Sequence, residues 1–372
     1  MREFAAKRFI NIILLITLTS FCAAAGAQRS SPADAQSGTV AEPGVVPSQN
    51  VVVVPEGDKS TVPKRKDEAY EDWSKPELTP GMQSRTELID QVQEDKFTRE
   101  LIHAQWREFD PIDLTVIKPV GVAKPPVILY LYSYPPPRNR YLDAGFCEFL
   151  TRNGFAAVGF SLAVSGQRFH DRPTAEWFVS QLQEALGASV HDVQMTLNYL
   201  ASRGDLDTTR VGVWGDGAGA SVAIMAAAVD PRIKILDVLD PWGDWPNWLA
   251  KSPIVPENER ARYLKPEFLK SVAELDPVKW LPRLGKDHVR LQYITGDLTV
   301  TPTLVRKDME AAAPPSIKIV HYKDAHTFRK EVASTGKGFE WLKQHLEYGQ
   351  PPASHGRAQN ATQDSLDQRN SR

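Results

Sequence analysis

Val211-Gly212-Val213-Trp214-Gly215-Asp216-Gly217-Ala218-Gly219, followed by Ala220-Ser221-Val222-Ala223-Ile224-Met225-Ala226-Ala227-Ala228, is the stretch that decides how this chain folds. The apolar run before Gly215 reads as a buried strand, and the small apolar residues after Gly219 read as a helix packed closely on it. Glycines at 215 and 219 permit a sharp turn from strand to helix with the two backbones in close approach. The residue at the crest of such a turn is the one lifted above the sheet. Here that residue is Gly217, and it has no side chain to present.

Outward from this turn, the chain between about 85 and 347 alternates short β-branched runs with longer helical patterns. Strands are expected at Leu114–Ile117, Val127–Tyr132, Ala156–Phe160, Val211–Trp214, Ile235–Leu239, Leu291–Thr295 and Ile317–Tyr322. Helices are expected near 140–153, 178–203, 218–229, 302–312 and 338–347, the first closed by Asn153-Gly154. This order predicts an α/β domain built on a mostly parallel, doubly wound sheet with helices on both faces. The exception is 242–284, where Trp and Pro cluster. That segment is expected to be a cap-like insertion of short helices.

The ends of the chain have a different composition. Arg2, Lys7 and Arg8 precede an apolar run from Ile10 to Phe21 and the small-residue site Ala25-Gly26-Ala27, which reads as a signal peptide over 1–27. Residues 28–84 are expected to be a low-complexity arm or linker and 348–372 a disordered tail. Only Cys147 remains once Cys22 has left with the leader, so no internal disulfide is expected, and Cys147 reads as a buried structural thiol. With 44 basic and 46 acidic residues and a net charge of −2, the chain has no basic footprint for nucleic acid. No cofactor, no metal and no transmembrane segment in the mature chain are expected.

The chain resembles the α/β-hydrolase superfamily, in the manner of its dienelactone-hydrolase-like and acyl-peptidase-like members, over roughly 110–347. The resemblance rests on the turn at 215–219, on Gly296-Asp297 at the end of a strand, and on Asp324-Ala325-His326-Thr327-Phe328 after the last strand. The order of nucleophile turn, acid and histidine is the one that family uses. It implies His326 as general base, Asp297 as the acid that orients it with Asp240 as the alternative acid, and Gly217 at a vacant nucleophile position. The N–H groups of Ala218 and of Ser133 or Tyr134 would form the oxyanion hole. That second loop continues into Pro135-Pro136-Pro137, and three prolines supply no N–H.

Two readings follow. In the first, the serine-hydrolase site is degraded and the protein is non-catalytic or binds a small ester or peptide ligand. In the second, Asp216 replaces the missing serine and works with His326 as a hydrolase of esters or peptides. Ser221 lies one helical turn beyond Gly217 and is expected to point along the helix, while Ser133 and Ser165 lie on loops without a surrounding motif. Trp242, Trp245 and Trp248 recur every three residues. They could wall a pocket or fill a core, and their helical spacing favours the core.

The leader reading has a direct test. Protein recovered from an exporting host should begin near Gln28 by N-terminal sequencing and fractionate outside the cytoplasm. An intact Met1 in the membrane fraction would reject it.

Overall fold

The computed structural model describes residues 72–78, 84–107, 110–132, 140–163, 179–285, 288–296, 301–333 and 337–348. All lie within the unit Tyr70–Arg372. The expected leader and the tail beyond Tyr348 lie outside the described residues, as do Ser133, Tyr134, Ser165 and Asp297.

Nine strands form one sheet: β1 (Arg85–Gln93), β2 (Phe97–Gln105), β3 (Ile112–Pro119), β4 (Pro126–Leu131), β5 (Ala156–Phe160), β6 (Asp207–Asp216), β7 (Ile233–Leu239), β8 (His288–Ile294) and β9 (Lys318–Tyr322). Their order across the sheet is β1-β2-β3-β5-β4-β6-β7-β8-β9. Strands β1, β2, β3 and β5 pair antiparallel in sequence across one side. From β5 through β4, β6, β7 and β8 to β9 every pair is parallel. The reading of a mostly parallel, doubly wound sheet is met.

The helices that cover it include α1 (Ala144–Thr151), α2 (Leu182–Ser202), α3 (Ala218–Val229) and, between β7 and β8, α4 (Trp245–Lys251), α5 (Arg260–Tyr263), α6 (Pro266–Val272) and α7 (Pro277–Trp280). After β8 come α8 (Thr303–Ala312), α9 (Ala325–Phe328) and α10 (Lys337–Tyr348). One face of the sheet buries Val211, Val213, Leu236 and Val238 against α2 and α3. The other buries Ile128, Tyr130 and Ile235 against Cys147 and Leu150 of α1 and Trp341, Leu342 and Leu346 of α10. Strand residues of alternate parity thus feed two cores, as the two-residue repeat of a strand requires. Asn153-Gly154 does follow α1, with Gly154 at φ 82°.

Two features lie outside the expected strand list. The hairpin β1–β2 has Glu, Asp, Gln and Lys at many positions, and β1 is exposed along almost its whole length. Its charges and a bulge between Leu88 and Asp90 are what an unprotected sheet edge needs to avoid pairing with other chains. The hairpin is held from its inner strand, where Glu100 meets Arg203 at 2.6 Å and Lys118 at 3.0 Å. Within the expected arm, residues 72–78 are seated on α2, with His191 and Gln194 bonded to the Lys75 and Pro76 carbonyl oxygens.

The insertion forms short helices as expected, and its tryptophans go to packing. Trp242, Trp245 and Trp248 are buried in the same core as α3. Trp245 Nε1 donates to the Leu275 carbonyl at 2.9 Å.

A buried polar cluster fastens β7, β8 and β9 to α10. The Arg290 guanidinium donates to both Asp237 oxygens, at 2.8 and 2.6 Å, and to the Gly338 carbonyl at 3.2 Å. Gln292 donates to Asp237 at 2.7 Å and accepts from Tyr322 Oη at 2.8 Å. Removing one member of such a pair leaves a charge with no partner in the interior. Asp237→Ala should therefore lower stability by about 3–5 kcal/mol in urea titration. The double variant with Arg290→Met should recover part of that loss, because it leaves no unpaired charge.

Candidate functional site

The turn from β6 to α3 has the geometry that its glycines predict. A Cβ on Gly215 would lie 2.8 Å from Ala220 Cα, and one on Gly219 would run into the Leu131 carbonyl oxygen. Only glycine lets α3 start this close to β6 and β4. Gly217, between them, has φ 53° and ψ −117°, a conformation strained for any residue with a side chain. Its N–H donates to the Leu239 carbonyl at 2.9 Å, and its carbonyl accepts from Ser221 N at 3.1 Å. The crest is thereby fixed to both β7 and α3. Ala218 is the first residue of α3, where the sequence reading puts an oxyanion N–H.

Ser221 is fully engaged beneath this crest. Its hydroxyl contacts the Trp242 carbonyl at 2.6 Å and the Gly217 carbonyl at 3.2 Å, and accepts from Trp242 N at 2.9 Å. It is fully buried. The hydroxyl joins α3 to the segment after β7 and is not presented to a ligand.

Two carboxyl groups stand at neighbouring strand ends. Asp216 closes β6 and is partly exposed. Burial lifts its pKa to about 6, and the positive charge of Arg140 opposes that rise. Arg140, in the turn before α1, lies 5.5 Å from the Tyr132 ring centroid and 4.9 Å from that of Phe146. Tyr132 in turn packs 5.1 Å from Trp214. Asp240 follows β7 in a left-handed conformation at φ 46°. Its Oδ1 accepts from Ile294 N at 3.0 Å, its N–H donates to the Gln292 carbonyl at 2.8 Å, and its carbonyl accepts from Thr301 at 3.1 Å. Burial pushes its pKa up to about 8; the Ile294 bond opposes this, and the charge of Asp216 adds to it. At neutral pH Asp240 is mainly a neutral acid.

His326 lies on α9, the single turn after β9, and is exposed. Asp324 caps that turn by accepting from Thr327 N at 2.7 Å. The loop after β8 packs on it: a Cβ on Gly296 would lie 2.5 Å from the Lys323 carbonyl oxygen, and Thr295 N donates to the Tyr322 carbonyl at 2.8 Å. The structure thus brings the β8 and β9 loops together, with Asp297 itself outside the described residues. It also gathers Asp216, Gly217, Ala218 and Asp240 at adjoining strand ends. Among the described residues, the charge acting on Asp216 is that of Arg140, and His326 is paired with neither Asp216 nor Asp240.

Arg140 and Tyr132 are the site residues that sequence reasoning missed. Neither sits in a motif, and only the strand order β5-β4-β6 puts the start of α1 beside the end of β6. No group of three or more His, Cys, Asp or Glu among the described residues could hold a metal ion. No helix among them is long and apolar enough to cross a membrane.

No family model matches the chain. Two curated Escherichia coli relatives, each described as an uncharacterized 31.7 kDa protein of the traX-finO intergenic region, are 28% and 27% identical over 125 residues. That stretch is 34% of this chain and spans 40% of each relative's length. Among solved structures, the acetyl xylan esterase 1 of Thermoanaerobacterium sp. superposes with a TM-score of 0.53 at 15% identity, covering 70% of this chain and 87% of that one. An acetyl xylan esterase from Paenibacillus sp. R4 gives 0.51 at 14%, covering 70% and 88%. An S-formylglutathione hydrolase from Agrobacterium tumefaciens gives 0.51 at 14%, covering 70% and 99%. Identities this low speak for fold alone. With the nine-stranded sheet and the glycine turn after β6, they show that the chain has the α/β-hydrolase fold.

Proposed function

We propose that this is an exported α/β-hydrolase-fold protein whose serine-hydrolase site is degraded, and that it binds a small ester- or peptide-like ligand at the strand ends without forming a covalent acyl intermediate. The observation that carries this reading is Gly217. It occupies the crest of the turn at φ 53° and ψ −117°, where a nucleophile's side chain would project, and it projects nothing. Ser221, the nearest serine in sequence, spends its hydroxyl on Trp242 and Gly217. Asp240 gives further support. An acid that orients a catalytic histidine must be ionised, and burial keeps Asp240 mostly neutral near pH 7. Export rests on the leader-like segment 1–27.

The displaced-nucleophile reading has less behind it. Asp216 would need a base beside it, and its neighbouring charge is the Arg140 guanidinium. What remains at the strand ends is a partly exposed carboxylate, a guanidinium and aromatic rings, which is the equipment of a binding site.

Covalent labelling separates the two readings. Wild-type protein should resist an organophosphonate probe, and Gly217→Ser should gain weak labelling, since its hydroxyl would stand at the crest. A missing oxyanion donor alone costs on the order of 10²–10³ in rate, so weak labelling is the expected size. Strong labelling of the wild type, lost on replacing another serine or Asp216, would overturn the proposal.

The two carboxyl groups also set a pH dependence. Both have folded pKa values raised above the unfolded value of about 3.9. At these two groups the native state holds more protons than the unfolded chain, and their contribution to stability falls as pH climbs from about 4 through 6 and on towards 8. Asp240→Asn should flatten the upper part of that decline in urea titrations between pH 6 and 9. An unchanged slope would show that Asp240 does not titrate there.

A further inference from the structure

The sheet face that holds the Asp237 cluster ends, at the start of β8, in two histidines. His288 is the first residue of β8 and pairs in register with Ile235 of β7. Ile235 is buried with Trp341, Leu342 and Leu346 of α10, so the alternation of the strand turns His288, Arg290 and Gln292 to that helix. His345, in the last turn of α10, meets His288 there, with ring centroids 4.7 Å apart and planes tilted by 54°. His288 is exposed and His345 half-buried, so the pair is open to solvent. It lies at the opposite end of the parallel strands from Asp216 and Asp240.

His345 is held from two sides. Its Nδ1 lies 2.8 Å from the Trp341 carbonyl oxygen. A carbonyl only accepts, so in the neutral ring Nδ1 carries the proton and Nε2 keeps a lone pair. The Trp341 ring packs on the imidazole at 4.3 Å, and the Arg290 guanidinium lies 5.1 Å from the centre of the same indole. His345 Nε2 and both ring nitrogens of His288 have no hydrogen-bond partner among the described residues. A histidine that binds a metal ion is commonly built this way, one ring nitrogen donating to a carbonyl so that the tautomer is fixed and the other nitrogen is aimed. The spacing fits as well, because two imidazoles bound to one ion at about 2.0–2.1 Å have centroids about 4.5–5 Å apart.

We propose that His288 and His345 form a two-histidine chelate for a divalent transition-metal ion of the Zn²⁺ class, which fastens the last turn of α10 to the start of β8. Imidazole nitrogen suits Zn²⁺, Ni²⁺ and Cu²⁺, whereas Mg²⁺ and Ca²⁺ take oxygen ligands. Among the described residues no group of three or more His, Cys, Asp or Glu assembles here, so water fills the other coordination positions. Each imidazole binds in its neutral form, and protons compete with the ion for the same nitrogens.

Calorimetric titration of ZnCl₂ into the full-length wild type, His288→Ala and His345→Phe tests this, the phenylalanine keeping a ring on Trp341 without a ligand atom. Each variant should bind Zn²⁺ at least about tenfold more weakly at this site, since the loss of even an outer partner of a ligand costs about 10–100-fold. Hydrogen exchange locates the ion. At free Zn²⁺ about ten times the dissociation constant, amides in the last turn of α10 should exchange up to about tenfold more slowly in the wild type and be unchanged in either variant. MgCl₂ should have no such effect, and Zn²⁺ binding should weaken as pH is lowered from about 7.5 to about 5.5. If circular dichroism shows His345→Phe to be unfolded, His345→Gln takes its place. Zn²⁺ binding that both folded variants retain in full belongs to histidines elsewhere in the chain and overturns the proposal. A loss in one variant and not the other, or binding that leaves exchange in α10 unchanged, overturns it equally.

Discussion

The closeness of the first turn of α3 to strands β6 and β4 is the constraint on which the site depends. Gly215 and Gly219 are in contact with backbone atoms of Ala220 and Leu131, at distances that leave no room for a Cβ. With the helix held so near, Gly217 adopts a positive-φ conformation that glycine takes readily, and its N–H reaches the Leu239 carbonyl of β7. Ser221, one turn later, reaches the Trp242 main chain. The ends of β4, β6 and β7 are thus joined through one short turn, and Asp216, Asp240 and Tyr132 are placed by it.

Three aspartates at or near the ends of two adjacent strands meet burial in different ways. Asp237 sits in the middle of the polar cluster with two bonds from Arg290 and one from Gln292, and that cluster fastens three strands to α10. Asp240 has a single main-chain donor for its carboxyl and stays mainly protonated. Asp216 keeps some access to solvent and has Arg140 as its nearby cation. A fully paired carboxylate serves the fold. Open α/β sheets bind their ligands outside the carboxyl ends of the strands, the end of the sheet where Asp216 and Asp240 stand.

Sequence patterning failed in two instructive places. Strand β1 was not legible because an edge strand with exposed faces has no apolar alternation to read, and its charges are there to keep other strands away. Residues 72–78 read as part of a low-complexity arm because nothing in Trp73-Ser74-Lys75-Pro76 announces burial. Their seat is created by Gly187, His191 and Gln194, more than a hundred residues on.

The sequence by itself determined the alternation of strands and helices, the glycine turn after β6, the short helices after β7 and the absence of a side chain at position 217, because each is written in local periodicity or in a single residue type. Only the tertiary structure decided that Ser221 is spent on Trp242, that the Arg140 charge acts on Asp216, and that burial lifts the pKa of Asp240. Those facts depend on which strands are neighbours and how deeply each carboxyl is buried. Both are set by the packing of segments far apart in the chain, which no local pattern records.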